Sequence, residues 1–142
     1  MSQSRNNRSI ILVDYYEGAY GPTIRIDVQA VTSLIKVKDL FLQLAESVTQ
    51  TVNFTETDLV IASGLNQLIM KVVPDDQVCE KKLELLVNRS MSIIFYWSMP
   101  SGGWRRCAGL MDGLLESHYP GHQYLTQEGV DDAIVEIAFM EC

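Results

Sequence analysis

The sequence lacks the cysteine pattern of a disulfide-bonded or zinc-binding protein. It has three cysteines, Cys79, Cys107 and Cys142, and no Cys-x-x-Cys pair. An odd count without paired spacing argues against a disulfide framework and against a zinc knuckle. We therefore predict three reduced thiols, with Cys107 on the core-facing side of a helix.

Long apolar runs are also missing. No stretch approaches the roughly 18 apolar residues that a membrane-spanning helix needs. Residues 1–8 are polar and are not followed by the apolar region of a signal peptide. We expect a cytoplasmic protein without membrane contact, organised as one α+β domain over residues 1–142 with a disordered tail over residues 1–8.

Basic residues are absent from the last third of the chain. The net charge is −7, and from Cys107 to Cys142 there are seven carboxylates and no lysine or arginine. Such a surface repels nucleic acid. It favours a basic protein, because opposite charges speed the encounter of two proteins. The sequence therefore predicts a protein partner and no nucleic-acid binding.

Catalytic motifs are missing as well. The chain has no Gly-x-Ser-x-Gly, no phosphate-binding glycine loop and no dinucleotide-type glycine run. Arg105 and Arg106 could lower the pKa of the Cys107 thiol if they lay close to it in space. The apolar helix face around Cys107 favours an inert, buried thiol instead. We predict no catalytic residue and no cofactor.

Periodicity indicates both strands and helices. Alternating apolar residues predict strands over 9–16, 23–28, 67–73, 82–88, 92–98 and 133–140, with a possible short strand over 52–57. The first two form a hairpin, and the strands over 67–98 form an antiparallel meander. Apolar residues at three- and four-residue steps predict two helices, one capped by Thr32 or Ser33 and one after Pro100. Residues 117–132 are predicted to be irregular.

These elements predict an α+β fold. A mostly antiparallel sheet of five or six strands packs against two amphipathic helices. The second helix contains Gly109 and Gly113, four residues apart. Each glycine costs about 0.5–1 kcal/mol relative to alanine inside a helix. We expect the pair to allow close packing of the helix on the sheet, and a homodimer contact is the alternative.

Two clusters in the irregular segment contain residue types that can form chemical sites. His118 and His122 are four residues apart, but Pro120 between them disfavours a shared helix face, and no third zinc ligand stands at a familiar spacing. Asp131 and Asp132 begin a strand, where neighbouring side chains point to opposite faces, so they do not form an acid–base pair. Loop or surface roles are expected for both clusters.

The acidic and aromatic residues near the C-terminus are the predicted partner-binding surface. Asp112 and Glu116 lie four apart and therefore share one face of a helix. Tyrosine is enriched in interfaces, because it buries a large area and keeps a polar group. The predicted partner-binding residues are Asp112, Glu116, Tyr119, His122, Tyr124, Glu128, Asp131 and Asp132.

Three segments carry a resemblance to known proteins. They are 102–107 (GGWRRC), 121–125 (GHQYL) and 131–139 (DDAIVEIAF). In these segments the chain resembles small bacterial proteins, some of which look like immunity proteins of contact-dependent or other polymorphic toxin systems. The resemblance covers the last third and implies a binding role without assigning roles to residues.

The leading hypothesis is therefore an acidic immunity protein that neutralises a basic toxin by occluding its active or binding surface. Replacing Asp112, Glu116, Asp131 and Asp132 with lysine is predicted to abolish neutralisation without unfolding the chain. One alternative is a small metal-dependent or hydrolytic enzyme that uses the His118 and His122 loop. Another is a homo-oligomeric structural or adaptor subunit.

Overall fold

The computed structural model describes residues 9–76, 82–117, 120–126 and 131–141. Within these residues the chain forms nine strands and two helices. In order they are β1 (Ile11–Gly18), β2 (Gly21–Val28), α1 (Val31–Ala45), β3 (Thr51–Asn53), β4 (Val60–Ser63), β5 (Gln67–Val72), β6 (Leu83–Val87), β7 (Ile93–Met99), α2 (Ser101–Ser117), β8 (Gly121–Tyr124) and β9 (Ile134–Phe139), with a 3₁₀ turn over Phe54–Glu56. The tail predicted over residues 1–8 lies outside the described residues.

The strands form two sheets, each with mixed strand directions. The larger sheet has five strands in the order β4-β1-β2-β9-β8, and the smaller has four in the order β3-β5-β7-β6. The α+β class is confirmed, but the single, mostly antiparallel sheet is wrong. Strand pairs β1–β4, β2–β9 and β5–β7 are parallel. Such pairs join strands that are distant in sequence, and alternation within one strand does not reveal its neighbour.

The predicted meander over residues 67–98 is also wrong. Strand β7 lies between β5 and β6, so β5 and β6 are not neighbours in the sheet. The final strand, β9, lies between β2 and β8 rather than at an edge, and all six of its residues are buried.

The β1–β2 hairpin is confirmed. Its strands pair from Ile11 opposite Val28 to Gly18 opposite Gly21. Gly21 has a φ angle of 114°, in the left-handed region that glycine adopts without the steric cost of a Cβ. The turn therefore returns the chain directly into β2 and exposes Tyr20 at its tip.

Helix α1 begins without the side-chain cap that was predicted. Ala30 is its N-cap, and Thr32 and Ser33 lie inside the first turn. The buried Ser33 hydroxyl donates instead to the Ser9 carbonyl at 2.9 Å. The Ser33 hydroxyl therefore bonds to a residue that is distant in sequence and does not cap the helix.

Three aromatic side chains form the centre of one hydrophobic core that draws on both sheets and both helices. Phe41 from α1 stacks on Trp104 from α2, and both contact Trp97 of β7. All three are fully buried. The indole N–H of Trp104 donates to the Lys71 carbonyl at 3.0 Å, which joins α2 to β5.

Gly109 and Gly113 do not pack on a sheet, so that prediction is wrong. Both glycines are exposed on α2, and a Cβ at either position would meet nothing within 4 Å. The apolar face of α2 is on its other side, where Trp104, Cys107 and Met111 are buried. The predicted irregular segment also differs, because it contains strand β8.

Candidate functional site

The candidate site is the outer face of the five-stranded sheet. Side chains alternate between the faces of a strand. Ile11, Ile24 and Val135 point into the core, so their neighbours in sequence point outward. We call the outward side chains of this sheet, together with Tyr20 at the hairpin tip and Glu141 after β9, the outer face. Its members include Leu12, Asp14, Tyr16, Arg25, Asp27, Ile61, His122, Tyr124, Ile134 and Glu136.

Large apolar and aromatic side chains on this face stay exposed. Leu12, Tyr16, Ile61 and Tyr124 are each 38–51% exposed, and Tyr20 is 64% exposed. Scattered single apolar residues are normal on a surface, but a contiguous group of them marks an interaction site. Here they occupy three of the five strands, β1, β4 and β8, and the hairpin tip of one sheet face.

A cavity lies between the hairpin tip and β8. Its volume is about 300 Å³, and Tyr20, Tyr124, Thr126 and Ile134 line it. Thr126 is held in place by β9, since its hydroxyl donates to the Ala133 carbonyl and accepts from the Val135 amide. These bonds extend the β8–β9 contact beyond Tyr124 and fix one wall of the cavity.

A cluster of charged groups borders the cavity. Arg25 and Glu136 are paired in the β2–β9 register, and their side chains form an ion pair at 3.0 Å. Arg25 also reaches Glu141 at 3.4 Å, and His122 Nδ1 lies 2.9 Å from the other Glu141 oxygen. Glu136 is buried, and pairing with arginine offsets the cost of removing its charge from water.

Tyr124 connects the cavity with the charged cluster. It stands opposite Glu136 in the β8–β9 pairing, and its ring makes an edge contact with His122. Loss of solvent raises the pKa of the Tyr124 phenol, and the charge of Glu136 raises it further. The phenol therefore stays protonated at neutral pH and can donate a hydrogen bond to a bound molecule.

His122, Glu136 and Glu141 are also the group best arranged to hold a metal ion among the described residues. Each can offer one ligand atom, and these atoms lie within 4.8 Å of one another. The carboxylates in this cluster, on Glu136 and Glu141, are not among the predicted partner-binding residues. Asp131 and Asp132 lie elsewhere.

Asp131 and Asp132 bind the backbone of β6, an edge strand of the smaller sheet. Asp131 Oδ1 accepts from the amides of Lys82 and Leu83 at 2.6 and 3.1 Å, and Asp132 Oδ2 accepts from the Leu85 amide at 2.7 Å. An edge strand otherwise exposes these amides to pairing with other chains. The two carboxylates, predicted to bind a partner, thus satisfy backbone donors of this chain.

Asp112 and Glu116 lie on α2, whereas the charged cluster lies on β2, β8 and β9 and at Glu141 after β9. Asp112 forms an ion pair with Lys38 of α1 at 2.6 Å. Its hydrogen bond and charge raise the pKa of Lys38, and Glu116 adds to this effect. Lys38 therefore neutralises part of the acidity that the sequence placed on this helix face.

Of the predicted binding residues that the structure describes, only His122 and Tyr124 lie at the candidate site, on β8. Asp112 and Glu116 share α2, and Asp131 and Asp132 share the β6 edge. Tyr119, Glu128 and His118 lie outside the described residues. Sequence reasoning missed Arg25, Glu136 and Glu141, although Arg25 and Glu136 each stand on the polar side of an alternating strand. Their meeting depends on the parallel β2–β9 pairing.

Cys107 is a core residue of α2. It is fully buried, and burial raises the pKa of its thiol to about 12, although Arg106 opposes the shift. Thiolate is the reactive form of cysteine, so this thiol is inert in the folded chain. Because the folded pKa lies above the unfolded one, the contribution of Cys107 to stability is present below about pH 8.5. It is lost as the pH rises toward 12.

We therefore predict that Cys107 reacts with a thiol reagent only after unfolding. In a variant with Cys79→Ser and Cys142→Ser, labelling by an aromatic disulfide at pH 8 is expected to be at least about 100-fold slower in buffer than in denaturant. The labelling rate is followed by absorbance. Equal rates in both conditions would show that Cys107 is accessible in the folded chain.

Comparisons with protein-family models, with curated proteins and with solved structures found no match to this chain. Among the described residues, neither helix is long and apolar enough to cross a membrane.

Proposed function

We propose that this chain is a non-catalytic protein-binding domain whose outer face binds a basic protein. The observation that carries the proposal is the group of exposed tyrosine and aliphatic side chains on one sheet face, surrounding a charged cluster. Tyrosine contributes large contact area at low conformational cost and is frequent at binding hot spots. Toxin neutralisation, suggested by the sequence resemblance, is the specific form of this function that we propose to test.

Charge favours a basic partner. The outer face carries four carboxylates, on Asp14, Asp27, Glu136 and Glu141, and one guanidinium, on Arg25. The excess of negative charge matches the net charge of −7 of the whole chain. Complementary charge raises the association rate, and burial of the tyrosines slows dissociation. A partner bound on this face would have its own active or binding surface covered.

The proposed surface differs from the predicted one. It keeps His122 and Tyr124 and adds the residues of the β1–β2 hairpin. Asp131 and Asp132 are left out, because their carboxylates already bind β6 amides. The cytoplasmic location and a homodimer through α2 stay predictions.

The test is capture of partners from the native host by the tagged chain, including products of neighbouring reading frames, at low and moderate salt. The variant Tyr20→Ala/Tyr124→Ala is compared with Tyr96→Ala, a matched tyrosine on the outward side of the smaller sheet. We expect one stoichiometric basic protein whose affinity falls about tenfold or more in the double variant and stays unchanged in Tyr96→Ala. Its capture is expected to weaken as salt rises.

A captured protein that binds the parent chain and the Tyr20→Ala/Tyr124→Ala variant equally would contradict the proposed surface. A captured acidic protein would contradict the charge argument. For a basic partner that binds as expected, rescue of growth in cells that produce it tests the toxin-neutralising form of the proposal.

A further inference from the structure

The chain departs from regular strand geometry where β9 ends. In a regular strand Glu136, Ala138 and Met140 would face outward and residue 141 would face the core. Met140 instead has a φ angle of 59°, in the left-handed region that is uncommon for residues with a Cβ. The Met140 amide is held by the Val28 carbonyl at 2.8 Å. The Glu141 carboxylate consequently lies on the outer face, beside Arg25 and His122.

The β8–β9 pairing brings His122 to the same place. His122 stands opposite Ala138, whose small side chain separates Glu136 from the end of the strand. The imidazole therefore meets Glu141 directly, with 2.9 Å between Nδ1 and Oε2. Two ligand atoms of a tetrahedral zinc ion, each about 2.1 Å from the metal, lie about 3.4 Å apart. The His122 and Glu141 atoms are closer than this because they form a hydrogen bond, and a small rotation of the exposed His122 side chain would admit an ion between them.

Hydrogen bonds from Arg25 orient the two carboxylates of the cluster, Glu136 and Glu141. Its guanidinium binds Oε1 of Glu136 and Oε1 of Glu141, and the second oxygen of Glu141 faces His122. Hydrogen bonds from surrounding residues orient metal-binding carboxylates in this way. The positive charge of Arg25 also repels a cation, so we expect weaker binding than at the same three ligands without a nearby arginine.

We propose that His122, Glu136 and Glu141 form a binding site for a divalent transition-metal ion of the Zn²⁺ type. One imidazole and two carboxylates suit zinc or cobalt, whereas magnesium and calcium prefer oxygen ligands alone. On binding, the imidazole carries its proton on Nε2, so that the Nδ1 lone pair faces the ion. Water completes the coordination, because His122 is exposed. The ion would lie on the outer face proposed for partner binding, but the inference does not rest on that function, because Zn²⁺ binding is measured without a partner.

The experiment measures Zn²⁺ binding by calorimetry at pH 7.5, using the full chain treated with a chelator. The background carries Cys79→Ser and Cys142→Ser, so that thiols do not contribute ligands. One Zn²⁺ per chain is expected. His122→Ala and, separately, Glu141→Gln are expected to weaken binding at least about tenfold. Circular dichroism verifies that each variant is folded.

Two matched controls separate the cluster from general surface binding. His118→Ala removes the other histidine, and Glu116→Gln removes an exposed carboxylate on α2. Both are expected to bind Zn²⁺ like the background chain, and Mg²⁺ is expected not to compete. Visible absorption of the Co²⁺ form, altered in His122→Ala, reports the imidazole ligand directly. Absence of stoichiometric Zn²⁺ binding, or equal affinity in the His122→Ala and Glu141→Gln variants, would overturn the proposal.

Discussion

Replacing Asp131 and Asp132 with lysine is expected to destabilise the fold by about 1–3 kcal/mol for each carboxylate lost. Asp131 accepts hydrogen bonds from the Lys82 and Leu83 amides, and Asp132 accepts one from the Leu85 amide. Lysine has no acceptor for these donors. The two residues precede β9 of the larger sheet and bind β6 of the smaller one, so their loss weakens the link between the sheets.

Urea denaturation followed by tryptophan fluorescence measures this effect. The matched control is Asp75→Lys/Asp76→Lys, which makes the same change of charge at two exposed positions. The control is expected to stay within about 0.5 kcal/mol of the parent chain. If the Asp131→Lys/Asp132→Lys variant were as stable as the control, the carboxylate–amide bonds would contribute little to the stability of the fold. The change of charge would then explain any loss of partner binding.

This expectation corrects the design drawn from sequence alone. Lysine at Asp112, Glu116, Asp131 and Asp132 together is predicted from sequence to abolish neutralisation without unfolding the chain. Because Asp131 and Asp132 bind the β6 amides, such a variant could lose function through lower stability of the fold as well as through lost contact with a partner. The Tyr20 and Tyr124 substitutions avoid this problem, because both side chains are exposed.

Replacing Trp104 with alanine is expected to lower the free energy of unfolding by about 3–5 kcal/mol. The indole is fully buried between Phe41 and Trp97, and its ring centroid lies 5.8 Å from that of Phe41 and 4.8 Å from that of Trp97. Alanine leaves a cavity where the two helices and the smaller sheet meet. For a chain of this size the melting temperature should fall by about 2–4 °C for each kcal/mol lost.

A comparison of two phenylalanine variants separates packing from hydrogen bonding. Trp104 Nε1 donates to the Lys71 carbonyl, whereas the buried Trp97 Nε1 has no hydrogen-bond partner among the described residues. Trp104→Phe should therefore cost about 1 kcal/mol more than Trp97→Phe. Thermal and urea unfolding measure both. A smaller loss in Trp104→Phe than in Trp97→Phe would assign no stabilising role to the Lys71 contact.

Local pattern was sufficient to predict most elements of this fold. Alternation over residues 23–28 and 133–140 corresponds to β2 and β9, and the apolar stripe after Pro100 corresponds to α2. These patterns are reliable because each reports which side of one element is buried. They could not predict the N-cap of α1, since the Ser33 hydroxyl bonds to Ser9, 24 residues earlier.

The candidate site was much less accessible to sequence reasoning. Proximity along the chain placed His122, Asp131 and Asp132 in one predicted partner-binding surface. The structure pairs His122 with Glu141 and directs Asp131 and Asp132 to β6. Arg25 and Glu136 are 111 residues apart and meet only because β2 and β9 are adjacent and parallel.

The sequence by itself determined the acidic character of this chain, the α+β class, and which faces of its strands and helices are apolar. Those properties follow from composition and from spacing within single elements. The tertiary structure alone decided that there are two mixed sheets, that β9 is central, and that Glu141 turns to the outer face at Met140. Strand neighbours are chosen by packing of the whole core, and that choice determines which charged groups meet.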